Sequence, residues 1–212
     1  MFKTILEKEI QAEIVEKKSR FIANIFYVET VQEAEEKIKQ VKKQYFDARH
    51  NCFAYSIFQK DGIINRFSDD GEPSGTAGAP MLNILNSKEL TNALVIVTRY
   101  FGGILLGTGG LVRAYTGAMQ EALSKTSIIC KELGLEAKID VNYQDLEKMK
   151  YYFKQKEIEI SKIEYKEKVQ VFVDITKNKY QDLLDIAKDL NFKILDSQII
   201  KEKYIDGNII KN

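Results

Sequence analysis

The glycine-rich segment 98–115, TRYFGGILLGTGGLVRAY, restricts the fold of this chain more than any other segment. It holds five of the twelve glycines, namely Gly102, Gly103, Gly107, Gly109 and Gly110. The apolar run 93–97 before it predicts a buried strand, and the apolar spacing of 111–125 after it predicts an amphipathic helix. A strand, a glycine turn and a helix in this order direct unpaired backbone N–H groups toward one point, which suits an anion.

Two interpretations of this segment remain open. In the first, Arg99 at the strand end and Arg113 in the first turn of the helix add charge and donors for phosphate or carboxylate. In the second, the glycines serve only backbone conformation and close packing. The spacing matches neither GxxxxGK[ST] nor GxGxxG, so it does not identify a nucleotide site.

A second informative segment, 68–80, reads SDDGEPSGTAGAP and contains both prolines of the chain, Pro73 and Pro80. Its prolines and glycines predict a shaped loop, and Ser74 or Thr76 is expected to cap a following helix that runs through residue 85. The acidic residues Asp69, Asp70 and Glu72 suit either a metal ion or turn and capping contacts. Because they lack the spacing of a calcium loop, turn contacts are the preferred interpretation, and no metal or cofactor is expected.

Composition narrows the function classes. The 32 basic and 31 acidic residues nearly balance, so a nucleic-acid interface would have to be a local patch. The two cysteines lack metal spacing, the N-terminus is too charged for a signal peptide, and no apolar run approaches membrane length. We therefore expect a cytoplasmic protein without membrane association. His50 and Cys52 are two residues apart and weakly suggest a catalytic pair, but a buried Cys52 is the preferred interpretation.

The remaining pattern predicts an α+β chain with two domains, 1–132 and 135–212. The first domain should contain strands 20–28, 51–59 and 63–68, a hairpin turn at Asp61-Gly62, and a helix 31–45 capped by Thr30. The second should contain strands 134–141, 158–165, 169–175 and 193–203 and helices 143–156 and 179–190. Its order β-α-β-β-α-β is that of a ferredoxin-like domain.

Three motifs resemble the IMPACT/YigZ family: KSRFIA at 18–23, RFSDDGEPSGTAGAP at 66–80 and VTRYFGGILLGTGGLVRAY at 97–115. The resemblance implies a first domain like domain 2 of ribosomal protein S5, with helices on one face of a sheet. It also implies a ferredoxin-like second domain similar to domain V of elongation factor G. For bacterial members it implies nucleic-acid or ribosome binding with no established reaction. The kinase-restraining role of eukaryotic members requires an RWD domain, for which this chain has no room.

The function predicted from these observations is that of a non-enzymatic factor that binds RNA or the ribosome and affects translation. Loops 66–80 and 98–113 are expected to converge, so that three arginines hold phosphates while Tyr100 and Phe101 either stack bases or pack into the core. The predicted binding residues are Arg66, Ser74, Gly75, Thr76, Arg99, Tyr100, Gly102, Gly103, Gly107, Gly109, Gly110 and Arg113. The predicted loop-shaping residues are Asp69, Asp70, Gly71, Glu72, Pro73, Gly78 and Pro80.

Two alternatives stay open at this level. One is a phosphate- or nucleotide-binding enzyme or small-ligand binder in which 102–110 holds phosphates and Asp70 or Glu72 positions magnesium or acts as a base. The other is a protein-interaction module that uses the sheet of the second domain. The sequence does not determine the oligomeric state.

Overall fold

The computed structural model describes residues 1–59, 61–187 and 191–210. Backbone contacts divide it into two compact units, one formed mainly by residues 2–130 and the other by residues 131–207. Each unit combines a β-sheet with helices, so the expected α+β class is confirmed. No helix in these three ranges is long and apolar enough to span a membrane.

The first unit is built on a five-stranded antiparallel sheet of order β2-β3-β6-β4-β5. Its strands and the preceding β1 are β1 Phe2–Ile5, β2 Glu9–Glu16, β3 Ser19–Tyr27, β4 His50–Gln59, β5 Gly62–Ser68 and β6 Ala93–Tyr100. The predicted hairpin joins β4 to β5, but Gly62, which the sequence predicts in the turn, is the first residue of β5 and pairs with Gln59. Lys60 lies outside the described residues.

Helices cover both faces of this sheet, so the expectation of helices on one face is wrong. Helix α1, Val31–Gln44, packs on one face, while α2, Gly78–Ser87, and α3, Gly107–Leu123, pack on the other. The reason lies in β6, where every residue of 93–97 is apolar and buried, which requires cover on both sides. Helix α1 begins as predicted, because the Thr30 hydroxyl accepts the Glu33 N–H at 3.1 Å.

The second unit has the predicted β-α-β-β-α-β order. Its elements are β7 Ile128–Val141, a 3-10 turn Tyr143–Asp145, α4 Leu146–Gln155, β8 Glu159–Tyr165, β9 Val169–Thr176, α5 Lys177–Asp185 and β10 Ile194–Ile210. Strand β7 pairs with β9 and β10, and β9 pairs with β8. The order β10-β7-β9-β8 is that of the ferredoxin-like fold. Residues 188–190, the last three of the predicted helix 179–190, lie outside the described residues.

Candidate nucleic-acid interface

The two motif loops leave the sheet of the first unit at the same end. Strand β5 ends at Ser68 and β6 ends at Tyr100, whereas β3 begins at Ser19 and β4 begins at His50. The register places Arg99 opposite Phe21 of β3 and opposite His50 of β4. Loops 69–77 and 101–106 therefore meet at this end of the sheet.

The side chain of Asp69 occupies the N-terminus of α2. Its Oδ1 accepts the N–H groups of Ala77 at 2.9 Å and Gly78 at 2.8 Å, and its Oδ2 accepts the N–H of Gly75 at 2.8 Å. The prediction that Ser74 or Thr76 caps this helix is wrong. The N–H groups at the start of α2, which we expected to bind an external anion, already bind the carboxylate of Asp69.

The rest of the loop is shaped by short local contacts. The Thr76 hydroxyl donates to the Pro73 carbonyl at 2.6 Å, while Ser74 is exposed. A Cβ on Gly78 would lie 2.8 Å from the backbone of Ser68, so only glycine allows this approach. Pro80 occupies the third position of α2, where no helical N–H partner is required. The other loop glycines, Gly71 and Gly75, lie at the surface.

Asp70 ties the same loop to β4 and α1. Its Oδ1 accepts a hydrogen bond from Lys42 Nζ at 2.6 Å, and its Oδ2 accepts the N–H of Asn51 at 2.7 Å. The main-chain oxygen of Asp70 lies 2.9 Å from Nδ1 of His50. His50 thus contacts the loop backbone.

Glu72 and Arg99 form a buried ion pair. Glu72 Oε1 accepts hydrogen bonds from Arg99 Nη1 at 2.7 Å and from the Tyr115 hydroxyl at 2.8 Å. The guanidinium carbon of Arg99 lies 5.5 Å from the ring centroids of both Phe21 and Phe101. Burial raises the pKa of Tyr115, so this phenol stays protonated as a donor. Arg99, expected to bind phosphate, instead lies inside the protein and binds Glu72.

Asp69, Asp70 and Glu72 therefore all bind partners within the protein, which agrees with the preferred interpretation as turn and capping residues. Among the described residues, no three His, Cys, Asp or Glu side chains gather so that they could hold a metal ion. The Cys52 thiol is buried and donates to the Asp69 carbonyl at 2.9 Å. Its burial raises the pKa of Cys52 to about 12, which suppresses the reactive thiolate.

Two other predicted binding residues have partners outside this loop cluster. Arg66 lies opposite Tyr55, on the α1 face of the sheet, and its Nη1 is 3.4 Å from Glu35 Oε1. The Tyr100 hydroxyl donates to Asp47 Oδ1 at 2.7 Å, and the Arg20 guanidinium carbon lies 5.5 Å from the Tyr100 ring centroid. The structure does not bring Arg66 together with Arg99.

Helix α3 begins at Gly107, four residues before the predicted start at residue 111. Gly107, Gly109 and Gly110 therefore belong to its first turn, and Arg113 belongs to its second turn rather than its first. The described structure gives this N-terminus no side-chain cap and no acid in the first turn. Arg113 is exposed, and its Nη1 would lie 3.7 Å from a Cβ on Gly109. The Arg113 guanidinium thus lies near the helix start.

Gly102 brings the loop 101–106 against the turn between β2 and β3. A Cβ on Gly102 would lie 2.0 Å from the carbonyl carbon of Lys18, and the Gly102 N–H donates to the Ser19 hydroxyl at 3.1 Å. Lys17 and Lys18 form this turn, both with positive φ angles. Two lysines therefore lie beside the glycine-rich loop. At the next position, Gly103, a Cβ would meet no atom within 4 Å.

The structure adds three exposed cations, Lys17, Lys18 and Arg49, to the predicted binding residue Arg113. In the described part of the chain no ion pair or side-chain hydrogen bond engages the exposed residues Lys17, Lys18, Arg49 and Arg113, which we call the basic rim. Beside them, Phe101, Ile104 and Leu105 are 52%, 41% and 83% exposed and form what we call the apolar tip. The adjacent lysines in KKSR are a sequence signal for the rim, but nothing local distinguishes Arg49.

Comparison with known proteins supports the motif resemblance. Residues 17–123 match the family model described as the Impact N-terminal domain. The chain is 43% identical to IMPACT family member YvyE of Bacillus subtilis (strain 168) over 158 residues, covering 74% of this chain and 72% of that protein. It is 41% identical to IMPACT family member YigZ of Escherichia coli (strain K12) over 131 residues, covering 61% and 64% of the two chains.

A solved structure extends the similarity to nearly the full length. The crystal structure of a hypothetical protein aligns with a TM-score of 0.60 and 31% identity, covering 94% of this chain and 97% of that one. The domain match, which includes all three motifs in the range 17–123 and thus the loops that meet at the sheet end, shows that the chain belongs to the IMPACT family.

Proposed function

We propose that this protein is a non-enzymatic cytosolic factor that binds RNA on the ribosome and affects translation. The observation that carries the proposal is the basic rim, four exposed cations without partners in the described structure at one end of the sheet. The family resemblance, which implies nucleic-acid or ribosome binding, supports the same partner class. The chain is nearly neutral overall, so a local rim is the form that a nucleic-acid footprint takes here.

The rim and the start of α3 provide complementary phosphate donors. The first N–H groups of α3 have no side-chain cap in the described structure, and the helix dipole favours negative charge there. Arg113 adds a bidentate donor near that start, while Lys17 and Lys18 act as point charges on the adjacent turn. Phosphate contacts of this kind position a protein on RNA without reading its sequence.

Phe101 provides an additional contact for an unpaired base. Its ring is half exposed, and the ion-paired Arg99 lies 5.5 Å from its centroid, which leaves part of the ring surface open. Aromatic rings at such positions stack on single-stranded bases with little sequence preference. Tyr100 is less suited to this role, because its hydroxyl binds Asp47 and Arg20 lies beside its ring.

The internal contacts of the loop acids favour binding over catalysis. Asp69 accepts three backbone N–H groups, Asp70 binds Lys42, and Glu72 binds Arg99 and Tyr115. A general base must be free to reach a substrate proton, and a magnesium ligand must be free to reach the ion. The acids therefore support the loop, and the rim contacts the partner.

Co-sedimentation of the purified protein with ribosomes tests the proposal. Binding would be measured at about 50 and about 200 mM salt, where four phosphate contacts should lower the affinity by about 50-fold. A variant with Lys17, Lys18, Arg49 and Arg113 replaced by alanine should lose most of the binding and most of the salt dependence. The control variant replaces Lys8, Lys39, Lys88 and Lys125, which are exposed and lie outside the rim, so it loses the same charge.

Three outcomes separate the possibilities. Salt-sensitive binding that the rim variant loses and the control variant keeps would support the proposal. Equal binding by both variants would show that the rim is not the interface. Absence of binding at either salt concentration would contradict ribosome binding altogether, and a thermal-shift screen with nucleotides and magnesium would then test the phosphate-binding alternative.

A further inference from the structure

Strand β5 is an open and largely apolar edge of the first sheet. Its sequence GIINRFS contains one charged residue, Arg66, which points to the α1 face and pairs with Glu35. In the described part of the chain β4 is the only strand paired with it. Two large apolar side chains on this edge, Ile63 and Phe67, are 55% and 50% exposed. Edges of this kind readily pair with another strand.

The opposite edge of the same sheet is protected. Strand β2 carries three exposed glutamates, Glu9, Glu13 and Glu16, and charged residues on an edge oppose strand addition. Of the two edges of this sheet, β5 is therefore the one that is open to strand addition. Ile63 and Phe67 belong to neither apolar cluster of the first unit, so the core of this unit does not explain them.

The pairing of β5 with β4 determines which backbone groups are free. The ladder starts at Gln59 and Gly62, the residues that flank the loop. In a hairpin closed by two residues, the flanking pair exchanges hydrogen bonds and the pattern then alternates along the strands. The N–H and C=O groups of Ile63, Asn65 and Phe67 therefore point away from β4. The side chains of these three residues also share one face of the sheet.

We propose that β5 pairs with β5 of a second copy of this chain, antiparallel about a two-fold axis at Asn65. In this register Asn65 faces its own counterpart, and Ile63 faces Phe67 of the second copy. All three residues with outward backbone groups find partners, and the two exposed apolar side chains cover each other twice. Two-fold axes at residue 63 or 67 would use fewer outward groups and would leave apolar side chains uncovered.

The same geometry indicates a weak dimer. A seven-residue strand with three outward pairs is a short interface, and stable interfaces bury at least about 1,200 Å². Both copies pair in the same register, because a two-fold interface uses the same patch on both chains. The dimer should therefore form at protein concentrations of tens to hundreds of micromolar and dissociate on dilution.

Sedimentation equilibrium of the full chain from about 10 to about 500 µM tests the pairing. The apparent mass of the natural chain should rise from 24.4 kDa toward twice that value. A variant with Ile63→Lys and Phe67→Lys places like charges opposite each other in the proposed register and should stay monomeric. A variant with Ile63→Lys and Phe67→Glu places opposite charges there, so it should still dimerise and should become sensitive to salt.

The matched control is Val15→Lys, since Val15 is an exposed apolar residue on β2, and this substitution should leave the dimer unchanged. Circular dichroism of each variant would confirm that it folds. A natural chain that stays monomeric at about 500 µM would overturn the proposal. A Lys/Lys variant that dimerises like the natural chain would also overturn it, because another surface would then hold the dimer. Loss of dimer in both double variants would exclude the two-fold register at Asn65.

Discussion

Glu72 and Arg99 are 27 residues apart in the chain, yet their side chains meet at 2.7 Å inside the protein. This contact joins the loop between β5 and α2 to the end of β6, and the Tyr115 hydroxyl adds α3 to the same carboxylate oxygen. The three elements that surround the candidate interface are thus held by one carboxylate. Arg99, which the sequence predicts to bind a phosphate, instead binds a carboxylate that the chain itself supplies.

We expect Glu72→Ala to lower the free energy of unfolding by about 3–5 kcal/mol, because it leaves the Arg99 guanidinium buried without a counter-charge. The double variant Glu72→Ala, Arg99→Met should recover much of this loss, since it removes the unpaired charge. Urea unfolding measures both effects, provided that the dependence of the free energy of unfolding on urea concentration is the same for each variant.

The control is Glu35→Ala, which breaks the exposed pair with Arg66 and should cost at most about 1 kcal/mol. If the double variant were as unstable as Glu72→Ala, packing around Arg99 rather than its charge would account for the loss.

The Asp69 cap leads to a second prediction. Asp69→Ala should destabilise the protein by about 2 kcal/mol, because it leaves the N–H groups of Ala77 and Gly78 at the start of α2, and that of Gly75 in the loop before it, without an acceptor. Asp69→Asn should cost less, since one side-chain oxygen remains to accept the N–H groups of Ala77 and Gly78. Amide hydrogen exchange of these residues measures the opening of the helix start.

Ser74→Ala is the control for the cap, because Ser74 is exposed and lies in the same loop. Its exchange rates and stability should match those of the natural chain. Faster exchange in Ser74→Ala than in Asp69→Ala would show that the loop, and not the Asp69 carboxylate, protects the helix start.

The contrast between α1 and α3 shows how far the sequence predicts this fold. Helix α1 follows from Thr30 as a cap and from Ala34, Ile38 and Val41 at helical spacing, all of which are local signals. For α3 the sequence predicts a start at residue 111, after the last glycine of the segment, because the apolar residues at helical spacing begin there. In the structure the helix includes Gly107, Gly109 and Gly110, and a Cβ on Gly110 would come within 2.9 Å of Leu106 Cβ.

The site was predicted less completely than the fold for a related reason. The motifs correctly indicated that two loops meet, but a motif does not tell which charges remain exposed. Arg99 is neutralised by a partner 27 positions away, and Arg66 lies on the other face of the sheet. Lys17 and Lys18 join the surface only because Gly102 allows the loop to approach their turn. Each of these facts depends on tertiary contacts.

The close approach of Gly102 to the backbone of Lys18 leads to a third prediction. Gly102→Ala should destabilise the protein by about 3 kcal/mol or more, because its Cβ would meet the backbone of Lys18 at 2.0 Å and backbone atoms cannot move aside cheaply. Gly103→Ala is the matched control, since its Cβ meets no atom within 4 Å and only its positive φ is strained, at about 1–2 kcal/mol. Equal losses in urea unfolding would contradict the close approach.

The buried thiol of Cys52 leads to a final prediction, which concerns alkaline pH. Burial raises the pKa of Cys52 from 9.0 to about 12, so the folded chain keeps a proton that the unfolded chain releases above pH 9. The free energy of unfolding should therefore be insensitive to this group below pH 9 and should fall above it. The expected loss by pH 10 is about 1 kcal/mol. Urea unfolding at several pH values between about 7.5 and 10 measures this slope.

Cys52→Ala should reduce the alkaline slope, although its starting stability will be lower because of the cavity it leaves. Cys130→Ala, at the half-exposed cysteine, should keep the slope of the natural chain. Alkylation gives an independent check, since a thiol-directed reagent should modify Cys130 in the folded chain and reach Cys52 only after unfolding. Rapid native modification of Cys52, or the same slope in Cys52→Ala and the natural chain, would show that the thiol is not the group that loses its proton on unfolding.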